Sequence, residues 1–212
     1  MSTVGGGDQP CPPVSRVCSR LTRSFQHPAP PAPIHAKLGR MSVDVPRRIV
    51  LLRHAKADWP QVADHERPLA ERGRKDAPIA GRRIAEAGLT PELTLCSTAL
   101  RTRETWKLVV HELPRRPKTV YEERLYDAPV GQLIEVINET PDDITDLMVL
   151  GHNPGMHGLA DALAGEADEG AKERMDRGAF PTSAFAVVTF SGSWKSVELG
   201  CGRLTSFWAP HE

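Results

Sequence analysis

Short apolar runs alternate with helical stripes from residue 47 onward. The runs Ile49-Val50-Leu51-Leu52, Leu93-Thr94-Leu95-Cys96 and Leu147-Met148-Val149-Leu150 carry too few polar positions for a half-exposed strand, and read as strands buried on both faces. Ala184 to Phe190 and Ser196 to Leu199 supply two further strands. Between them, Ala77, Ala80, Ile84 and Ala87 fall on one helical stripe. Val130, Leu133, Ile134 and Ile137 form a second, and Met156, Leu159, Ala160 and Leu163 a third. This alternation predicts an α/β sandwich around a largely parallel sheet. The closing strands, which lack intervening helices, predict a mixed or antiparallel edge.

Residues 1 to about 45 break the pattern. Pro10, Pro12, Pro13, Pro28, Pro30, Pro31 and Pro33 and the run Gly5-Gly6-Gly7 leave almost no apolar periodicity. Such a segment buries too little surface to offset its chain entropy, so disorder is expected. Met41 offers an alternative start, because Met41-Ser42-Val43-Asp44 leads directly into the first strand. The folded domain is placed at residues 46–210.

Composition narrows the class. With 40% hydrophobic and 25% charged residues, a collagen, a coiled coil and a fully disordered chain are excluded. The 27 basic residues balance 27 acidic ones, which gives no general attraction to nucleic acid or to an anionic membrane. Neither is expected as a partner. The longest apolar runs fall far short of the roughly 20 residues of a membrane-spanning helix. Cys11, Cys18, Cys96 and Cys201 show no C-x-x-C spacing, and His152 and His157 stand five apart with no further ligand nearby. A reducing, cytoplasmic setting without metal or cofactor is expected.

In open α/β sheets, ligands bind beyond the carboxyl ends of the strands. Arg53-His54 follows the first buried run, Ser97-Thr98-Ala99-Leu100-Arg101 the second, and Gly151-His152-Asn153-Pro154-Gly155 the third. The latter two also read as helix starts, with Ser97 or Thr98 as one N-cap and Asn153-Pro154 as the N-cap and first residue of the other. Helix N-termini favour anions, and guanidinium forks match phosphate oxygens. Two arginines and two histidines at three strand ends anticipate a phosphoryl group. Taken singly, each has a structural explanation: a surface ion pair for an arginine, a cap for Asn153, tight turns for the glycines. Cys96 reads as a buried small apolar residue. Glu166 to Arg177 reads as a solvated loop, with a lid or a partner surface as alternatives.

Four ordered segments carry a resemblance: Leu51-Leu52-Arg53-His54-Ala55-Lys56-Ala57, Arg67-Pro68-Leu69-Ala70-Glu71-Arg72-Gly73, Ser97-Thr98-Ala99-Leu100-Arg101-Thr102-Arg103-Glu104-Thr105 and Val149-Leu150-Gly151-His152-Asn153-Pro154. Over about residues 47 to 208 the chain resembles the histidine phosphatase (phosphoglycerate-mutase-like) superfamily. Within it, Arg-His-Ala-Lys and Gly-His-Asn-Pro are most similar to the SixA-type phosphohistidine phosphatases. The resemblance implies a three-layer α/β/α sandwich with a mostly parallel, mixed central sheet. It also implies a covalent phosphohistidine mechanism that needs no metal. His54 would be the nucleophile, Arg53 and Arg101 the phosphate clamp, and His152 the second histidine of the pocket. Arg67 would be either a pocket member or part of a salt-bridged turn, and Asn153 a substrate contact or only a cap.

The sequence departs from the broader family by having Ala55 where Arg-His-Gly is usual, a change the SixA-like branch shares. For the general acid the pattern offers three carboxylates. Asp127 stands nearest by motif, with Glu122 and Glu123 as alternatives, and SixA-like proteins often lack the acid. The expected substrate is a phosphohistidine protein or a small phosphorylated molecule. A broad small-molecule phosphatase or mutase-like enzyme, and a non-catalytic phosphate-binding module, are the alternatives.

Overall fold

The computed structural model describes residues 46–211. The segment expected to be disordered and the alternative start at Met41 lie outside the described residues. Seven strands form one sheet: β1 (Pro46–Arg53), β2 (Leu93–Ser97), β3 (Lys118–Glu122), β4 (Asp146–Gly151), β5 (Ala164–Ala167), β6 (Phe185–Ser191) and β7 (Gly202–Trp208), in the order β3-β2-β4-β1-β6-β7-β5. The first four in this order run parallel, whereas β6 lies antiparallel to β1 and to β7. The helices are α1 (Glu71–Glu86), α2 (Leu100–Val109), α3 (Val130–Asn138), α4 (Gly155–Leu163) and α5 (Ala171–Gly178).

The period of two along each strand divides the core into two layers. Ile49, Leu51, Leu95, Leu147 and Val149 face one way and pack against Leu133 and Ile137 of α3, Met156, Leu159 and Leu163 of α4, and Met175 of α5. Val50, Leu52, Cys96, Met148 and Leu150 face the other way, against Ala77, Ala80 and Ile84 of α1 and Trp106 and Val109 of α2. The expected helical stripes are the faces that cover the sheet, except at Ala87, which is exposed just past the end of α1. Burying β1, β2 and β4 on both sides is what makes their sequences continuously apolar. The result is a three-layer α/β/α sandwich.

Two expectations are corrected. Ser196 to Leu199 is not a strand. A 3-10 turn at Trp194–Ser196 tucks Trp194 and Val197, three residues apart, into the core and leaves Leu199 exposed. The last strand is β7, whose apolar pattern is broken by Thr205 and Ser206 and by a register shift opposite Val187 and Val188. Glu166 to Arg177 is not a solvated loop. It enters strand β5 and most of α5, where Ala171 and Met175, four apart, give a narrow buried stripe on an otherwise charged helix. No described helix is long and apolar enough to cross a membrane.

Candidate active site

Strand register brings the chemistry together. Arg53 is paired with Gly151 and Leu150 with Cys96, so β1, β2 and β4 end level at Arg53, Ser97 and Gly151. The His54 amide extends the ladder by one bond to the Gly151 carbonyl at 3.1 Å. His54 and His152 therefore leave the sheet side by side, with ring centroids 5.1 Å apart. Beyond them opens a cavity of about 530 Å³. All seven residues expected at the site line it: Arg53, His54, Arg67, Arg101, Asp127, His152 and Asn153.

The His54 ring is oriented by its own neighbour. Nδ1 lies 2.8 Å from the Ala55 carbonyl, an acceptor only, so Nδ1 carries the proton and Nε2 keeps a free lone pair. Burial, reinforced by the surrounding guanidinium groups of Arg101, Arg53 and Arg67, pushes the imidazole pKa down to about 3. The ring is neutral at physiological pH. His152 is similarly lowered to about 3, chiefly by burial and then by His54 and Arg101. Its Nε2 is 2.8 Å from the Ser97 hydroxyl, whereas its Nδ1 is buried with no partner.

Three arginines surround these rings, each fixed by other groups. Arg53 donates from Nη1 to the Phe180 carbonyl at 2.8 Å, and its Nε is buried and unpartnered. Arg101 gives both terminal nitrogens to Asp64, to its backbone carbonyl at 2.6 Å and to its carboxylate at 3.0 Å. Arg67 donates from Nε to the Asp58 carbonyl and from Nη1 to the Asp64 carboxylate, each at 2.9 Å. Arg67 closes a salt-bridged turn and also lines the cavity.

The helix starts differ from expectation. Ala99 and Pro154 occupy the N-cap positions of α2 and α4, and neither side chain caps. Ser97 is the last residue of β2 and spends its hydroxyl on His152, so it is not free to cap α2. Asn153 holds two elements: its Oδ1 accepts from the His157 amide at 3.3 Å and its Nδ2 donates to the Phe180 carbonyl at 3.0 Å. The segment receiving Arg53 and Asn153 is conformationally costly, since Ala179, Phe180 and Ser183 all have positive φ (47, 53 and 67°). Phe180, fully buried against Phe207 at 5.3 Å between centroids, anchors it.

Sequence reasoning missed Asp64, Tyr126, Trp59 and Thr182, which also line the cavity. The Tyr126 hydroxyl donates to Asp64 Oδ2 at 2.6 Å. That bond and the neighbouring guanidinium groups hold the Asp64 carboxyl far below the usual carboxylate range. Asp64 is a permanent anion and does not serve as a proton donor at neutral pH. Of the three carboxylates weighed as general acid, Glu122 is tied to Arg124 at 2.9 Å, while Asp127 lines the cavity on a left-handed turn (φ 49°). Cys96 is fully buried and its thiol is pushed up to about 12 by desolvation, so it is chemically inert. Among the described residues no group of three or more His, Cys, Asp or Glu side chains could hold a metal ion.

This chain is 41% identical to Rv1276c, an uncharacterized protein of Mycobacterium tuberculosis, over 162 residues that cover 75% of this chain and 99% of that one. Among solved structures it is similar to a protein assigned as the phosphohistidine phosphatase SixA in Nakamurella multipartitia, with a TM-score of 0.70 and 26% identity over 79% of this chain and 98% of that one. A counterpart from Agrobacterium tumefaciens, likewise assigned as SixA, has a TM-score of 0.64 and 31% identity over 78% and 99% of the two chains. The sequence pattern of the histidine phosphatase superfamily (branch 1) matches residues 49–178, the span that supplies every arginine and histidine of the cavity. The chain belongs to the histidine phosphatase superfamily.

Proposed function

We propose that this phosphatase removes the phosphoryl group from phosphohistidine on a protein, or from a small phosphorylated molecule, through a covalent intermediate on His54. The observation that carries this reading is the bare Nε2 of His54, on a ring held neutral by burial and fixed in tautomer by Ala55, in a cavity ringed by three guanidinium groups. A neutral imidazole is the form that attacks phosphorus, and pre-placed cations stabilise the equatorial oxygens without reorganising during the step. Arg53 and His152, which line the cavity, each also keep one buried nitrogen without a partner, Nε and Nδ1, as expected where a polar ligand belongs.

In the first step, His54 Nε2 forms a bond to phosphorus while the substrate's bond to phosphorus breaks and the leaving atom takes its electron pair. Water then attacks the phosphorylated His54, the pair returns to Nε2, and inorganic phosphate departs. A phosphoramidate bond is labile enough to break with little help from an acid. Asp127 supports a second reading, because it lines the cavity and stands as the proton donor that an alkyl phosphate would need. We place the enzyme in the cytoplasm, in keeping with the free thiols of Cys96 and Cys201.

The test is the intact mass of the protein after a brief, acid-free quench with phosphoramidate, with phosphate release followed in the same sample. Wild type is expected to gain one acid-labile phosphoryl group, and His54→Ala none. Turnover by His54→Ala overturns the mechanism. Phosphate binding with neither adduct nor turnover identifies a binding module instead.

A further inference from the structure

We infer that Trp59 and Asp64 form a subsite for the leaving group, and that the group it fits is the protonated ring of a phosphorylated imidazole. This deepens the phosphohistidine reading above and rests on it. In-line displacement puts the leaving atom on the face of phosphorus opposite the nucleophile. With His54 at the cavity floor, where β1 ends, the departing group occupies the mouth. Trp59, Asp64 and Tyr126 line the same cavity, and all three come from outside the strand ends that hold the histidines and Arg53.

The mouth has an uncommon chemistry. Trp59 is 75% exposed, a large apolar ring left in water. One of its faces is occupied, since the Arg67 guanidinium carbon lies 3.3 Å from the ring centroid. The other face is free to stack. Opposite charge is close at hand: Asp64 Oδ2 already accepts from Arg101 and Tyr126, but Oδ1 accepts only from Arg67 and has a lone pair to spare. A flat ring that also carries an N–H and partial positive charge satisfies both groups. Carboxylate and polyphosphate leaving groups are repelled by Asp64, and a sugar brings no positive charge for the carboxylate or the indole face to pair with.

An N-phosphorylated imidazole protonated on its second nitrogen is such a ring. His54 Nε2 forms the new N–P bond as the substrate's N–P bond breaks. The electron pair stays on the released ring nitrogen, and the proton remains on the other nitrogen, hydrogen-bonded to Asp64. The ring leaves as neutral imidazole, with no proton donated by the enzyme. A permanent carboxylate at the mouth keeps the bound ring protonated, so that neutral imidazole leaves without a general acid.

The test compares kcat/KM for phosphoimidazole with that for phosphoramidate, whose leaving group has no ring. The ratio removes any general effect on the phosphoryl clamp. Arg67 keeps its bonds to Asp58 and Asp64 without Trp59, and the indole is mostly in solvent, so Trp59→Ala is expected to fold. In Trp59→Ala the ratio is expected to fall about tenfold, the scale of a partly desolvated cation–π contact, and Trp59→Phe to recover most of it. Asp64→Asn, isosteric but uncharged, is expected to lower the ratio too. A wild-type ratio in Trp59→Ala overturns the subsite. A wild-type enzyme that turns over phosphoramidate but not phosphoimidazole overturns the subsite and leaves the covalent mechanism standing. One that turns over neither overturns the phosphohistidine reading itself.

Discussion

Asp64 holds Arg101 at two points: its backbone carbonyl accepts from one terminal nitrogen at 2.6 Å and its carboxylate from the other at 3.0 Å. The same carboxylate takes Arg67 at 2.9 Å and the Tyr126 hydroxyl at 2.6 Å. One exposed turn thereby fixes two guanidinium groups that would otherwise repel each other across the cavity. Asp64 also stands as a resident anion where an anionic substrate must bind, so its removal has two opposite consequences. In Asp64→Asn the cavity is more positive, and inorganic phosphate is expected to inhibit at lower concentration. The loosened arginines no longer match the transition state, and kcat is expected to fall about tenfold or more, since small misplacements of positioned groups are costly. Phosphate inhibition and kcat measured on one preparation read out both; tighter phosphate inhibition with an unchanged kcat would refute the positioning role.

A second relationship, Ser97 to His152, predicts a loss without any change in charge. The serine hydroxyl, 2.8 Å from Nε2, is the ring's only hydrogen-bond partner among the described residues, and both residues are buried. Ser97→Ala leaves Nε2 without a partner, at a cost of about 1–3 kcal/mol. It also frees the ring to rotate, so kcat/KM is expected to drop about tenfold or more in the folded protein. Urea denaturation and steady-state kinetics separate the two effects, and Ser97→Thr, which restores a hydroxyl, is expected to recover part of each.

The two layers of the core were legible because three buried parallel strands are continuously apolar and the helices covering them carry a 3.6-residue stripe. Arg53, Arg101 and His152 were legible for a related reason: level strand ends present whatever follows them to one place. Asp64, Tyr126 and Trp59 carry no such mark. They belong to turns whose position is set by contacts up to 62 residues away in the chain, as between Tyr126 and Asp64. The one local hint was spacing, since Asp64 stands three before Arg67 and pairs with it. Ser196 to Leu199 misled for the converse reason. Val197 and Leu199 alternate with Ser196 and Glu198 as in a strand, although only Val197 is buried.

The contact between α1 and the chain leaving His54 predicts an inversion of the usual glycine rule. Replacing a helical glycine by alanine ordinarily stabilises by about 1 kcal/mol. At Gly73, in the first turn of α1, an added Cβ would stand 2.2 Å from the Lys56 carbonyl oxygen and 2.9 Å from the Lys56 nitrogen. Both are backbone atoms of the segment two residues beyond His54, and that segment cannot yield without moving the site. Gly73→Ala is expected to destabilise by about 1–3 kcal/mol net, the usual scale of overpacking, and to lower activity with it. Gly131, in α3, has nothing within 4 Å of the same added atom, so Gly131→Ala is expected to raise the melting temperature. Thermal melts of the two variants side by side decide the matter, and a stabilised Gly73→Ala would show that the close approach is relaxed in solution.

Keeping two histidines neutral inside the cavity makes stability depend on pH. His54 and His152 titrate near 6.5 in the unfolded chain but are pushed down to about 3 when folded. Between these values the unfolded chain binds protons that the folded one refuses, so the stabilisation present above pH 6.5 is lost as pH falls. Each histidine contributes a slope of up to about 1.4 kcal/mol per pH unit, and the pair titrates as a coupled unit. The lowered carboxyl of Asp64 acts in the same direction but only near and below the ordinary carboxylate range, so the window from about pH 5 to 6.5 belongs to the histidines. Urea unfolding across that window is expected to show stability falling with acidity in wild type. The slope is expected to shrink in His54→Gln and again in the double variant with His152→Gln. A slope that survives both substitutions would show that the charge is refused elsewhere. The same lowering extends the active form of His54 to acid, so the acid limb of kcat/KM is expected well below pH 6.5.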